Sequence, residues 1–118
     1  MTQILFWGKN LVAYQANETI SAGNLVTFVA DNKIGPSDAS ENPIGVALED
    51  GVANEMVTVA LPPAEVYLKA AANVTHGDAV IPANSGQMQP WDGTSAKFII
   101  GVAKENIGSG NSGRVLLL

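Results

Sequence analysis

The sequence predicts an all-β protein, a compact β-barrel or sandwich built from two related β-units behind an N-terminal arm. Three observations predict this class. The apolar residues occur in short runs and form no sustained helical stripe, which is typical of strands rather than helices. Twelve glycines and six prolines supply the turns between these runs. Two blocks of sequence recur in the same order in the second half of the chain.

Length and composition fit one compact domain and exclude several classes of protein. The chain has 118 residues, within the ~100–150 residues of most domains. A hydrophobic fraction of 47% with only 14% charged residues excludes intrinsic disorder. The net charge of −5 repels phosphate backbones and anionic lipid, so we expect neither nucleic acid nor a membrane as a partner. The absence of cysteine excludes a disulfide framework, a thiolate zinc site and a cysteine nucleophile.

Eight apolar runs bounded by turn residues predict strands, because valine and isoleucine suit a pleated, half-buried surface. The runs are Leu11 to Tyr14, Leu25 to Val29, Ile44 to Leu48, Met56 to Leu61, Glu65 to Lys69, Ala79 to Ile81, Phe98 to Ala103 and Arg114 to Leu118. The best helical window is Ala64 to Asn73, which Pro62-Pro63 and Gly77 limit to one short turn.

An internal duplication supports the two-unit prediction. The block from Ile20 to Val26 recurs as Val74 to Val80, an offset of 54. The block from Ile44 to Asp50 recurs as Ile100 to Asn106, an offset of 56. One unit of this size could hardly bury its own apolar face, so we expect the copies to pack together. The predicted organisation is an arm over residues 1–9 and a single β-domain over 10–118, with copies at 20–61 and 74–118.

Two pairs of glycines at matching places have a structural explanation. Gly23 and Gly77 precede Asn24 and Asp78 just before a strand, where a turn with positive φ is expected. Gly45 and Gly101 lie within apolar strands, where glycine marks a bulge or a close approach of the backbone. Neither pair implies a ligand.

The N-terminal arm falls outside the duplication and contains four large apolar residues in succession, Ile4, Leu5, Phe6 and Trp7. Such a run at a chain terminus is either an interaction site or an extra edge strand that covers the chain's own core. Both roles are compatible in an oligomer. An oligomer is also expected from the apolar C-terminal run Leu116 to Leu118, which would otherwise leave an exposed edge.

No pattern in the chain builds an active site, a cofactor site or a metal site. His76 is the single histidine and lies in a predicted turn. Glu49 and Asp50, with Glu105 at the matching place, follow strands where solvated acids are routine. Gly108 to Gly113 is glycine-rich but lacks the spacing of a phosphate-binding loop and precedes a strand. We therefore expect no catalytic residues, and an enzyme only if partner subunits completed a site.

The order of these motifs resembles small bacteriophage capsid decoration (cement) proteins. The resemblance covers about Asn10 to Leu118 and is carried by four short motifs: Ala22-Gly23-Asn24, Ile44-Gly45-Val46-Ala47, Gly77-Asp78-Ala79-Val80 and Ile100-Gly101-Val102-Ala103. Two departures are Asn24, where the family usually has aspartate, and an apolar N-terminal segment longer than the family requires.

The resemblance implies a β-rich, non-enzymatic virion protein, commonly a homotrimer, on the outer surface of the capsid. Its partner would be the major capsid protein, and it would bind at three-fold or quasi-three-fold sites of the expanded head and stabilise it. Ile4, Leu5, Phe6 and Trp7 would then contact the capsid or a neighbouring subunit.

Two alternatives compete with this interpretation. The first is a carbohydrate-binding module on a virion or cell surface, with Trp91 as a stacking face and Tyr67 or Asn84 as further contacts. The second is a lipoyl- or biotin-carrier domain, which fails because no lysine lies in a tight hairpin of the required kind.

Overall fold

The computed structural model describes residues 6–7, 10–93 and 99–118, and these residues form a nearly all-β fold. They contain one short 3₁₀ turn, Asn84–Gly86, between the eighth and ninth strands. The strands are β1 Phe6–Trp7, β2 Leu11–Ala16, β3 Leu25–Ala30, β4 Lys33–Pro36, β5 Gly45–Ala47, β6 Met56–Ala60, β7 Ala64–Lys69, β8 Ala79–Pro82, β9 Met88–Pro90, β10 Gly101–Ala103 and β11 Ser112–Leu117. The predicted all-β class is confirmed.

The first unit, β2 to β6, is a closed barrel with the strand order β2-β4-β3-β5-β6. Most neighbours are antiparallel, as short hairpin connections require. The exception is a parallel pairing of β2 with β4, in which Ala16 faces Ile34. Closure removes most of the open strand edges that such a small sheet would otherwise present.

The second unit, β7 to β11, has the strand order β7-β11-β10-β8-β9. This is the order of the first barrel read around the ring in the opposite direction from β2, that is β2-β6-β5-β3-β4. A single parallel bridge between Ala70 and Met88 stands where the first unit has its β2–β4 pairing. The added strand β1 lies against the free edge of β7, with Phe6 opposite Val66 and Trp7 opposite Glu65.

The hydrogen bonds of the turns recur in both units at the same offsets. The side-chain oxygen of Asn24 accepts from the Ser21 backbone N–H, as that of Asp78 does from Thr75, both at 2.9 Å. Two backbone bridges also match, Ile20 with Gly51 and Val74 with Ile107. The repeat includes β2 and β7, which precede the two blocks visible in the sequence.

The predicted helical turn within residues 64–73 is wrong, because Ala64–Lys69 forms β7. Ala64, Val66 and Leu68 are buried and alternate with more exposed residues, so the period of burial is that of a strand. Strands β4 and β9 were not predicted. Each is short and contains proline, with few apolar residues to mark it.

Two apolar clusters form the core, and the larger one joins the units. The smaller cluster fills the first barrel and includes Ile20, Ile34 and Val57. The larger cluster fills the second unit and also takes in three residues of the first: Leu25, Val46 and Ala60. These three are at most 1% exposed, so the outer face of the first unit is buried against the second.

The four glycines with matching places occupy equivalent positions. Gly45 and Gly101 begin β5 and β10, and a Cβ on either would press against a backbone carbonyl oxygen, that of Ala60 or Leu116. Gly23 and Gly77 have φ values of 91° and 85°, a region that L side chains rarely adopt.

A size exchange distinguishes the two interiors. In the first unit Gly51 lies under the side chain of Val57, and a Cβ on Gly51 would be only 2.5 Å from it. At the equivalent positions of the second unit the sizes are reversed, because the side chain of Ile107 occupies the space above Gly113. One large side chain therefore fills each space: Val57 of β6 in the first unit, and Ile107 of the segment between β10 and β11 in the second.

Candidate functional site

The carboxylates that could suggest acid–base chemistry accept hydrogen bonds from backbone N–H groups. Glu49 Oε2 accepts from the Thr58 N–H at 3.2 Å, and Glu105 Oε2 accepts from the Arg114 N–H at 2.8 Å. Asp50 Oδ1 accepts from the Ala22 N–H at 2.7 Å. These acids close turns in both units, and such closure is a structural role.

The other polar groups singled out in the sequence are likewise held in turns. The His76 backbone N–H donates to Asn106 Oδ1 at 2.9 Å, and its ring Nδ1 lies 3.1 Å from the same oxygen. In the glycine-rich loop, the Ser109 N–H donates to Asn73 Oδ1 at 2.9 Å before the chain enters β11. Within the described ranges, no three histidine or acidic side chains are placed to hold a metal ion. No helix within these ranges is long and apolar enough to cross a bilayer.

The three residues considered for carbohydrate binding lie on separate elements. Trp91 follows β9 and is 40% exposed. Tyr67 is on β7, where its hydrogen bond raises the pKa of Arg114 above the ordinary value, with Glu105 and Glu65 adding to the effect. Asn84 Oδ1 accepts from the Ala39 N–H at 3.1 Å and so joins the two units. Only Trp91 presents a substantial exposed apolar surface.

The N-terminal arm is only partly within the described residues. Phe6 and Trp7 form β1 and add to the edge of β7. In this pairing the arm is an edge strand, which is one of the two roles that the sequence left open. Ile4 and Leu5 lie outside the described residues, and contact of the arm with another protein stays a prediction.

Sequence reasoning missed a surface that the fold makes visible. Three residues that lie side by side across strands β8, β10 and β11 point outward from the second unit: Ala79, Val102 and Leu116. They are equivalent to Leu25, Val46 and Ala60, which are buried between the units. Leu116, by contrast, is 42% exposed. Pairing the two repeats residue by residue would have identified the two rows, but the packing of the units decides which of them is exposed.

The fold resembles that of a solved phage head protein. The N base of the bacteriophage phi29 head fiber gp8.5 matches with a TM-score of 0.75 over 98% of this chain and 95% of that chain. At 18% sequence identity, this likeness establishes the fold alone. Among curated proteins, the comparison finds no match.

The sequence match identifies the family. The phage cement protein family matches residues 8–118, which is nearly the whole chain. The chain belongs to this family, and its role is that of a phage structural protein associated with the capsid. The family resemblance inferred from the repeated glycine motifs is thereby confirmed.

Proposed function

We propose that this chain is a cement protein that binds the outer surface of the expanded phage head, contacts the major capsid protein and stabilises the shell as a homotrimer. The observation that carries the proposal is the match to the phage cement protein family over residues 8–118. The structure supports a non-enzymatic role, because the candidate acids are bound to backbone N–H groups rather than grouped across a cleft.

The surface of the molecule is suited to repeated association. Several large apolar side chains are exposed on a small body, among them Leu11 at 50%, Met56 at 58% and Leu118 at 67%. On an icosahedral shell each copy gains from its neighbours, because linked contacts raise the effective concentration of the next one.

The arm is the proposed attachment element. The apolar residues Ile4, Leu5, Phe6 and Trp7 would contact the capsid or an adjacent subunit. Burial of one large apolar side chain contributes ~1.5–3 kcal/mol, so a few such residues could supply most of an attachment even after ordering costs.

The direct test is the copy number of this chain in purified virions. Quantitative mass spectrometry against the major capsid protein should give a fixed ratio near that of the shell's three-fold sites. Proteolysis of intact virions should cleave it before the major capsid protein, because it lies outside. Absence from virions, or a few copies per particle, would rule out the cement role.

A further inference from the structure

Within the chain, an outer face of the first unit packs against the apolar interior of the second unit and, beside it, against a hairpin tip of the second unit. The face is the first-unit row, Leu25, Val46 and Ala60, in adjacent strands. The row is joined to the apolar interior of the second unit, and its members are at most 1% exposed.

Beside the row, the segment after β4 binds the hairpin tip Asn84–Gly86 of the second unit. The Gly86 N–H donates to the Ser37 carbonyl oxygen at 2.7 Å. The Ser85 N–H donates to Asp38 Oδ1 at 3.3 Å. Gly86 also lies so close to Asn24 that a Cβ would come within 2.8 Å of it. Row and hairpin tip therefore form one continuous interface within the chain.

Because the units are repeats, each of them carries an outer row and a hairpin tip. The first unit has an equivalent hairpin tip at residues 30–32, between β3 and β4. Its flanking residues Phe28 and Val29 are 46% and 38% exposed. Their equivalents in the second unit, Pro82 and Ala83, are buried. The apolar flank of the first hairpin is thus left uncovered.

The second unit carries the matching row. The second-unit row, Ala79, Val102 and Leu116, is aligned across its strands as the first-unit row is. Leu116 is 42% exposed, and Trp91 nearby in the segment after β9 is 40% exposed. The segment that bears Trp91 is equivalent to the one that binds the hairpin tip within the chain.

We propose that the second-unit row of one copy packs against the first-unit hairpin of a second copy, head to tail, and so brings a hairpin tip beside a row between chains as the fold does within a chain. The proposal rests on the homo-oligomer of the proposed function and names its contact surfaces. A head-to-tail contact uses two different surfaces on each copy and closes into a ring when the rotation allows it. Three copies would satisfy the proposed trimer.

The chemistry of the second-unit row suits a contact between separate chains. The two rows contain the same three kinds of side chain with the ends exchanged, because Ala79 replaces Leu25 and Leu116 replaces Ala60. An ion pair between Lys104 and Glu65 stands at the end of the row, where the first unit has Leu48 and Leu11. An apolar centre with a polar rim is the usual arrangement of an interface whose partners also exist apart.

The test uses two full-length variants and light scattering after gel filtration. Leu116→Arg disrupts the row and Val29→Arg disrupts the hairpin, and each should weaken self-association at least about tenfold, since a charge would be buried at the contact. Val52→Arg is the matched control, because Val52 is 54% exposed and lies on neither surface. Circular dichroism melts verify that all three variants fold.

The decisive sample is an equimolar mixture of the two disrupted variants. Together they retain one intact row and one intact hairpin, so they should form a one-to-one dimer that does not grow. A row-to-row contact predicts instead that Val29→Arg assembles normally and that the mixture forms no such dimer; that result overturns the proposal. A wild-type chain that stays at 12.2 kDa at millimolar concentration also overturns it.

Co-sedimentation with purified heads separates this proposal from the cement role. Wild-type chain that forms the head-to-tail oligomer but does not bind heads would contradict the proposed function and leave the contact established. Wild-type chain that binds heads, with Leu116→Arg and Val29→Arg both assembling like wild type, would contradict the contact alone.

Discussion

The two units of this chain have the same backbone fold, but their matching side chains lie in different surroundings. Glu49 and Glu105 accept the same backbone hydrogen bond in the two units. Yet Ala60 is fully buried between the units and its equivalent Leu116 is 42% exposed. The turns that fix the fold have been kept in both copies, while the outer faces have diverged according to whether the other unit covers them. Comparison of matched positions therefore separates the residues that fix the fold from the residues whose surroundings depend on what covers the outer face.

The size exchange in the interiors offers the largest expected effect. Ile107→Gly removes a buried side chain that fills the space above Gly113, and it should lower the free energy of unfolding by about 4 kcal/mol. Adding Gly113→Val recreates the arrangement of the first unit, Gly51 under Val57. Chemical denaturation should show the double variant recovering more than about 1 kcal/mol of the loss. A double variant that is less stable than Ile107→Gly would show that the interiors are not interchangeable.

The strand glycines come next. Gly101→Ala would drive a Cβ against the Leu116 carbonyl oxygen, and we expect a loss of about 3 kcal/mol because backbone must move. Gly77→Ala is the matched control, since no atom lies within 4 Å of its would-be Cβ and only the positive φ is strained. Gly77→Ala should lower the free energy of unfolding by about 1 kcal/mol. Thermal melts of both variants would measure the two losses. A loss for Gly101→Ala no larger than that for Gly77→Ala would contradict the strand-crowding explanation.

The matched acids should give a smaller effect, and the same one in each unit. Glu49→Ala and Glu105→Ala each leave one backbone N–H without its side-chain acceptor, at a cost of about 1 kcal/mol in urea unfolding. Glu49→Gln and Glu105→Gln keep an acceptor oxygen and should lose less. A large drop in head binding with unchanged stability would instead assign these acids to the capsid contact.

Removal of the arm should have the smallest effect on stability. Strand β1 covers the β7 edge beside Glu65 and Val66. At the equivalent part of β2, Leu11 and Val12, the described residues place no strand on the corresponding edge. Deletion of residues 1–9 would make the second edge like the first, so the free energy of unfolding should change by less than about 1 kcal/mol. Head binding should fall strongly. A deletion that abolishes folding would make the arm a core strand and move the attachment role to a loop.

The sequence predicts most of this fold because both repeats mark their strands with valine-rich runs and their turns with Gly-Asn or Gly-Asp. It predicts the strand from Glu65 to Lys69 that forms β7, but it also allows a helical turn there, because alanine, glutamate and leucine favour helix; pairing with β11 decides for the strand. It misses β4 and β9, which are strands because of their neighbours rather than their composition. The row and hairpin surfaces were equally hidden, because the exposure of Leu116 or Val29 depends on how the units pack.

The most direct test of the cement role is titration of purified expanded heads, assembled without this chain, with the full-length protein. Bound copies per head and the temperature at which the shell disrupts would be measured together. The account predicts that binding saturates at a fixed number of copies per shell, set by its three-fold sites, and that the disruption temperature rises with occupancy. Heads that bind no protein, or bind it with an unchanged disruption temperature, would contradict it.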